Sequence, residues 1–265
     1  MNKLMIATAA ALCATVGFSD ITSSNCVGYN TKTSRAGLNW YAPSFLSVGQ
    51  TTTDINAIKL DDGKIGTDDQ MVGYGDNMQI VGPGGNATAI YCYWDPMFHP
   101  SGTATEFYWG DGEGNPVEIS FDAGDGVGID NTTEDVMYSI INAGQVPTED
   151  VSFTSRAGLN WTGNPFPAPI DINAVTLDDG KIGTDDQMVG YGDNMQIVGP
   201  GGNATAIYCY WDPMFHPSGE ATKFYWGDGE GNPVEYTINP GDGFAIDNTT
   251  DGVLYTIKIA CPYSL

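Results

Sequence analysis

The chain has 265 residues, 33 acids against nine bases, and a formal net charge of −24. A field of that sign repels phosphate and argues against nucleic acid or an anionic membrane as the partner. The acids are 25 Asp and only eight Glu, accompanied by 35 Gly and 15 Pro, which suits turns and short strands and not a helical bundle.

In chain order, Met1–Ser19 has the form of a secretory signal. Lys3 supplies the positive start, Leu4–Val16 is apolar or small, and Gly17 and Ser19 place small residues before a cut at Asp20. The apolar run is too short to span a bilayer core of ~30 Å, and Leu12 before Cys13 departs from a lipoprotein anchor. The expected location is secreted, periplasmic or cell-surface, with no transmembrane segment in the mature chain. Without the signal, eight bases face 33 acids, a net −25.

Past the signal, strand patterns separated by Gly, Asp, Asn and Pro predict β-strands. They fall at Leu38–Phe45, Ile55–Leu60, Met78–Val81, Thr88–Trp94, Thr105–Trp109, Val117–Phe121, Gly126–Ile129 and Val136–Ile141. Met78–Val81 and Thr88–Trp94 flank a Gly-Pro-Gly-Gly-Asn-Ala turn and read as a hairpin. The series then starts again. Residues 54–133 match 171–250 at 69 of 80 positions, and Leu60–Gly102 recurs unchanged as Leu177–Gly219. SRAGLNW stands at Ser34–Trp40 and at Ser155–Trp161, four residues out of step with that offset, so a length-tolerant loop precedes Asp171. Each unit is of domain size. The fold class expected is all-β: two tandem, homologous β-sandwich (or small β-barrel) domains after a signal peptide. The boundaries are 1–19, 20–145 and 146–265, with Asn142–Asp150 as a polar joint.

Four cysteines remain in the mature chain. Cys26 and Cys261 lie outside the duplicated block, while Cys92 and Cys209 are repeat equivalents in IYCYW. In an oxidising compartment a Cys26–Cys261 staple and a Cys92–Cys209 bridge are candidate disulfides, with buried free thiols as the alternative for the latter pair. Two acidic clusters are candidate calcium sites; no cofactor is required otherwise. One runs from Asp61 to Asp76 and repeats from Asp178 to Asp193. The other alternates Asp111, Glu113 and Asn115, and Asp228, Glu230 and Asn232, as oxygen ligands for a hard cation, against the alternative of a solvated hairpin loop.

Catalytic patterns are sparse. His99 and His216 sit in identical WDPMFHPSG segments, without a nucleophile elbow, HExxH or phosphate-cradling loop. Aromatic residues are the better lead. Tyr91, Tyr93, Tyr108 and Trp109 are copied at Tyr208, Tyr210, Tyr225 and Trp226, and a face of exposed tyrosines would stack on sugar rings if the strands did not bury it.

The start MNKLMIATAAALCATVGFSD, the phrases AGLNWYAPSFLSVG and TTDINAIKL, and the late turns AGDGVGID and NPGDGFAID resemble a set of uncharacterised secreted β-module proteins of Gram-negative anaerobes. That resemblance implies an exported, surface or matrix role and no chemistry. The expected function is that of a non-enzymatic structural, adhesive or cell-surface protein, with a carbohydrate-binding protein as the alternative and a glycan-active hydrolase behind both. A cell-surface or matrix polysaccharide or protein is the expected partner class.

Overall fold

The computed structural model describes residues 27–61, 73–82, 85–93, 107–132, 136–178, 190–198, 204–210, 224–249 and 252–264. Its regular structure is β, in several antiparallel sheets without a closed barrel, and each copy is sandwich-like. No helix among these residues is long and apolar enough to cross a membrane.

In the first copy the strands are β1 (Val27–Thr33), β2 (Gly37–Tyr41), β3 (Thr52–Asp54), β4 (Ile58–Asp61), β5 (Asn77–Gly82), β6 (Gly85–Tyr93), β7 (Phe107–Gly110), β8 (Ser120–Asp122), β9 (Val127–Asn131) and β10 (Ser139–Gln145). They form sheets ordered β2-β9-β5-β6-β7, β1-β10-β4 and β3-β8. The second copy repeats all three with β11 (Val151–Thr154), β12 (Gly158–Gly163), β13 (Ile170–Asp171), β14 (Val175–Asp178), β15 (Asn194–Val198), β16 (Ala204–Tyr210), β17 (Tyr225–Gly227), β18 (Thr237–Ile238), β19 (Gly243–Asn248) and β20 (Thr256–Ile259). The predicted strand over Ile55–Leu60 opens as a 3-10 turn, because the Asp54 carboxylate accepts the Asn56 N–H at 2.7 Å and caps it. Sequence reading missed β1, whose period-two exposure puts Val27 and Tyr29 in solvent. It also extended the joint too far. Asn142–Gln145 lie inside β10, and Asn142 is buried with its Oδ1 accepting from Phe45 N at 2.8 Å.

Two hydrophobic clusters form, one per copy. Ile58, Leu60, Met78, Trp109, Ile129 and Ile140 centre the first, and Val175, Leu177, Met195, Trp226, Ile246 and Ile257 the second. Each core is tied by a buried polar device. Asp76 takes the Tyr138 hydroxyl at 2.6 Å and the Thr132 hydroxyl at 2.7 Å, and Asp193 takes Tyr255 and Thr249 at the same distances. Each Trp indole donates at 2.8 Å, Trp109 to Ile58 O and Trp226 to Val175 O.

Within that shared frame one strand differs by a single residue. Asn77 pairs with Ile90 in the first copy, but Asn194 pairs with Tyr208 in the second. Likewise Tyr91 faces Trp109 whereas Cys209 faces Trp226. A one-residue slip turns every side chain to the opposite face of the sheet. Tyr91 is accordingly in the core and Cys92 half-buried, while Cys209 is in the core and Tyr208 and Tyr210 are half-buried. The segment Ala-Thr-Ala-Ile-Tyr-Cys-Tyr is identical in both copies and carries apolar bulk on both faces, so its own pattern does not pin the register. The surroundings differ: Val127 and Ile119 of the first copy are Phe244 and Tyr236 in the second. The second core thus gains aromatic volume where a cysteine replaces a tyrosine, as close packing requires.

Candidate functional site at the seam of the two copies

The structure does not assemble the sequence-derived aromatic platform. Tyr91, Trp109, Tyr225 and Trp226 are buried. Tyr91 stacks on Phe107 at 5.0 Å and leans on Trp109 at 4.8 Å, and its hydroxyl accepts from Leu60 N at 3.2 Å. Tyr91 is a core aromatic because the slip described above puts it on the inner face, while Trp109 and Trp226 are core in both copies. Tyr108, Tyr208 and Tyr210 are half-buried, and the Tyr93 side chain lies outside the described residues. Tyr210 stacks on Tyr225 at 5.4 Å and donates to Asp228 O at 2.8 Å.

The Asp111 loop closes on itself. Asp111 Oδ1 accepts the Glu113 and Asn115 amides at 2.8 and 2.9 Å, and the Asn115 side-chain amide donates to Oδ2 at 3.1 Å. Asp228, Glu230 and Asn232 repeat this. The Asn115 and Asn232 side chains, with help from the backbone amides, hold both Asp carboxyls below their ordinary value. Among the described residues no group of three or more His, Cys, Asp or Glu is placed to hold a metal ion. Most of the Asp61–Asp76 cluster, with His99 and His216, lies outside the described residues.

Cys92 and Cys209 are free thiols, and the bridge between them is not formed. Cys209 is 1% exposed in its own core, which pushes its thiol far above the ordinary value. Cys261 is also free, its thiol donating to Tyr263 O at 3.2 Å, and Cys26 lies outside the described residues.

What the fold does build is a seam. Trp40 and Trp161, repeat equivalents, meet with ring centroids 5.7 Å apart at 30°. Tyr41 bridges to Asp242 through the backbone, and Thr162 bridges to Asp125 in the reciprocal pairing. The two copies are therefore related by an approximate two-fold axis at this contact. Backbone meets backbone so closely that only glycine fits. A Cβ on Gly126 would stand 2.6 Å from Thr162 N, and one on Gly243 2.6 Å from Tyr41 N.

On either side of the axis lies a cleft lined by both copies. The first, of about 420 Å³, is lined by Lys32, Arg35, Asn39, Trp40, Tyr236 and Asp242 among others. Lys32 Nζ donates to Asp242 Oδ1 and Trp40 O, both at 2.9 Å, and to Gly241 O at 3.3 Å. Burial draws its ammonium below the ordinary lysine value while Asp242 pushes back. The second cleft, of about 900 Å³, is lined by Asp122, Asp125, Asp150, Phe153, Arg156 and Trp161 among others. Arg156 Nη2 donates across the seam to Val81 O at 3.2 Å. Three of the chain's nine bases (Lys32, Arg35 and Arg156) thus gather at one contact of an acidic molecule. Sequence reading passed over these residues. The available signal was SRAGLNW, a tryptophan-bearing block repeated whole outside the longer duplicated segment. No family model, curated protein or solved structure matches this chain.

Proposed function

We infer that the chain is an exported, non-enzymatic structural or adhesive protein in which two copies of one sandwich-like unit act as a single stiff body. The seam carries this reading: Trp40 against Trp161, with glycine-gated backbone contacts on both sides of the axis. Such a contact suits a part that holds two equivalent surfaces at a fixed spacing. Tethered surfaces of that kind exceed the retention of one by avidity where a partner's sites match the spacing. An assay panel tests the reading. Purified chain is incubated with bacterial envelope preparations, immobilised polysaccharides and a set of glycoside and ester substrates. Saturable retention without turnover supports it, and turnover abolished by one Asp→Asn change overturns it.

The carbohydrate-binding alternative draws on the second copy alone, where Tyr210 lies half-exposed with Tyr191 edge-on to it at 6.5 Å. On that reading, Tyr210→Ala removes polysaccharide retention and Tyr91→Ala in a still-folded chain does not.

A further inference from the structure

The two seam clefts are built from equivalent parts and differ in one. Lys32 on β1 and Phe153 on β11 occupy the same station, opposite Ile140 and Ile257 respectively. In the first cleft the Lys32 ammonium sits among three acceptors: a carboxylate, Asp242, and two backbone carbonyls, Trp40 O and Gly241 O. Their repeat equivalents in the second cleft are Asp125, Trp161 O and Gly124 O. The carboxylates are held alike: Asp242 Oδ2 accepts Asn239 N at 3.0 Å and Asp125 Oδ2 accepts Asp122 N at 2.8 Å. Asp242 Oδ1 then takes Lys32, whereas Asp125 Oδ1 has no hydrogen-bond partner among the described residues. Trp161 O receives Gly126 N at 3.3 Å, and Gly124 O receives the Thr162 hydroxyl at 2.6 Å, each carbonyl oxygen having two lone pairs.

We propose that the second cleft receives a primary ammonium group carried on an alkyl chain, seated on Asp125, Trp161 O and Gly124 O as Lys32 is seated on their counterparts. Three acceptors match the three N–H donors of an ammonium. A calcium ion would need six to eight oxygens. The walls suit the class. Phe153 and Trp161 line the cleft, and aromatic rings attract a cation, while Asp122, Asp125 and Asp150 outnumber the single Arg156. In the first cleft Lys32 and Arg35 instead outnumber Asp242, and position 122 is matched by the neutral Asn239. The greater volume, about 900 against about 420 Å³, leaves room for the chain that bears the ammonium. Burial raises the Asp125 carboxyl above its ordinary value, with the Asp122 amide and the Arg156 charge opposing, and Arg156 Nη2 is itself held by Val81 O. The ammonium belongs either to a free alkyl polyamine or to a lysine side chain of another polypeptide.

Full-length mature protein is titrated at physiological ionic strength with 1,5-diaminopentane and with acetyl-lysine amide, following tryptophan fluorescence and heat; 1,5-pentanediol is the uncharged control. The expected result is saturable 1:1 binding of an amine and none of the diol. Binding of the diamine alone assigns a polyamine, and binding of the lysine amide assigns a side chain. Asp125→Asn lowers affinity at least about tenfold, while the exposed Glu118→Gln leaves it unchanged. Phe153→Lys supplies the ammonium from within and abolishes amine binding in a folded protein. Lys32→Phe vacates the first cleft and raises the stoichiometry from one to two. Absence of saturable amine binding, equal binding of the diol, or equal losses in Asp125→Asn and Glu118→Gln overturns the proposal, the last by showing diffuse counterion attraction.

Discussion

Replacing Tyr91 with alanine and, separately, Tyr208 with alanine compares one residue in one local sequence under two registers. Tyr91 is 1% exposed, packed between Phe107 and Trp109, with its hydroxyl bonded to Leu60 N. Truncating a buried aromatic of this size costs ~3–5 kcal/mol, from lost transfer energy and the cavity left behind. Tyr208 lies on the outer face and is half-buried, and near-surface changes without such features cost about 0.5 kcal/mol, rising to ~1 with partial burial. The two variants should therefore differ by at least about 2 kcal/mol in urea or thermal unfolding. A thiol reagent gives a second readout in the unmutated protein. Cys92 labels in the native state and Cys209 only on unfolding, and the two separate by peptide mass because Lys223 ends the second peptide alone. Equal destabilisation by the two tyrosine changes, together with equal labelling of the two thiols, would refute the slipped strand.

Four further outcomes follow from the hydrogen bonds and burial described above. Tyr138→Phe and Tyr255→Phe each cost ~1.5–3 kcal/mol by chemical denaturation, since each removes a 2.6 Å hydrogen bond to a buried carboxylate. Tyr41→Phe is neutral or stabilising by the same assay, because the Tyr41 hydroxyl is buried with no hydrogen-bond partner among the described residues. Stability falls steeply with alkali: burial raises the hydroxyl pKa of Tyr41, Tyr91, Tyr138 and Tyr255. The folded state then holds protons that the unfolded chain releases above pH ~10, and each group removes about 1.4 kcal/mol per pH unit. Denaturation midpoints that stay flat between pH 9 and 11.5 would contradict that assignment. Asp111→Ala frees the Glu113 and Asn115 amides, so hydrogen exchange accelerates in that loop while the melting temperature holds.

Period-two patterning and turn residues made the β class legible, and the repeat comparison showed that each element would be built twice. The β5–β6 hairpin forms as expected, but Gly85, Asn86 and Ala87, read as turn, are paired within β6. The slip did not appear in the sequence and had no means of doing so. Two identical stretches cannot announce opposite faces, and the differences lie elsewhere in the chain: Val127 against Phe244 on β9 and β19, and Ile119 against Tyr236 just before β8 and β18. Tyr91 is buried and Tyr208 is not for the same reason, since alternation tells which residues share a face but not which face is inside. The seam stayed hidden because Gly126, Gly243, Trp40 and Trp161 read singly as a turn glycine or a core aromatic. Their meaning comes from contacts between residues 35 or more positions apart.

The reciprocal pairing of Tyr41 with Asp242 and of Thr162 with Asp125 is the arrangement of an isologous homodimer written into one polypeptide. An interface of that symmetry is closed: each patch is consumed by its twin, and no third copy can add. Fusion also removes the dependence on concentration, because the partner arrives with the chain. On dilution the chain would keep its quaternary-like arrangement where a dimer of single units would dissociate, and its paired surface would not seed filaments by head-to-tail addition.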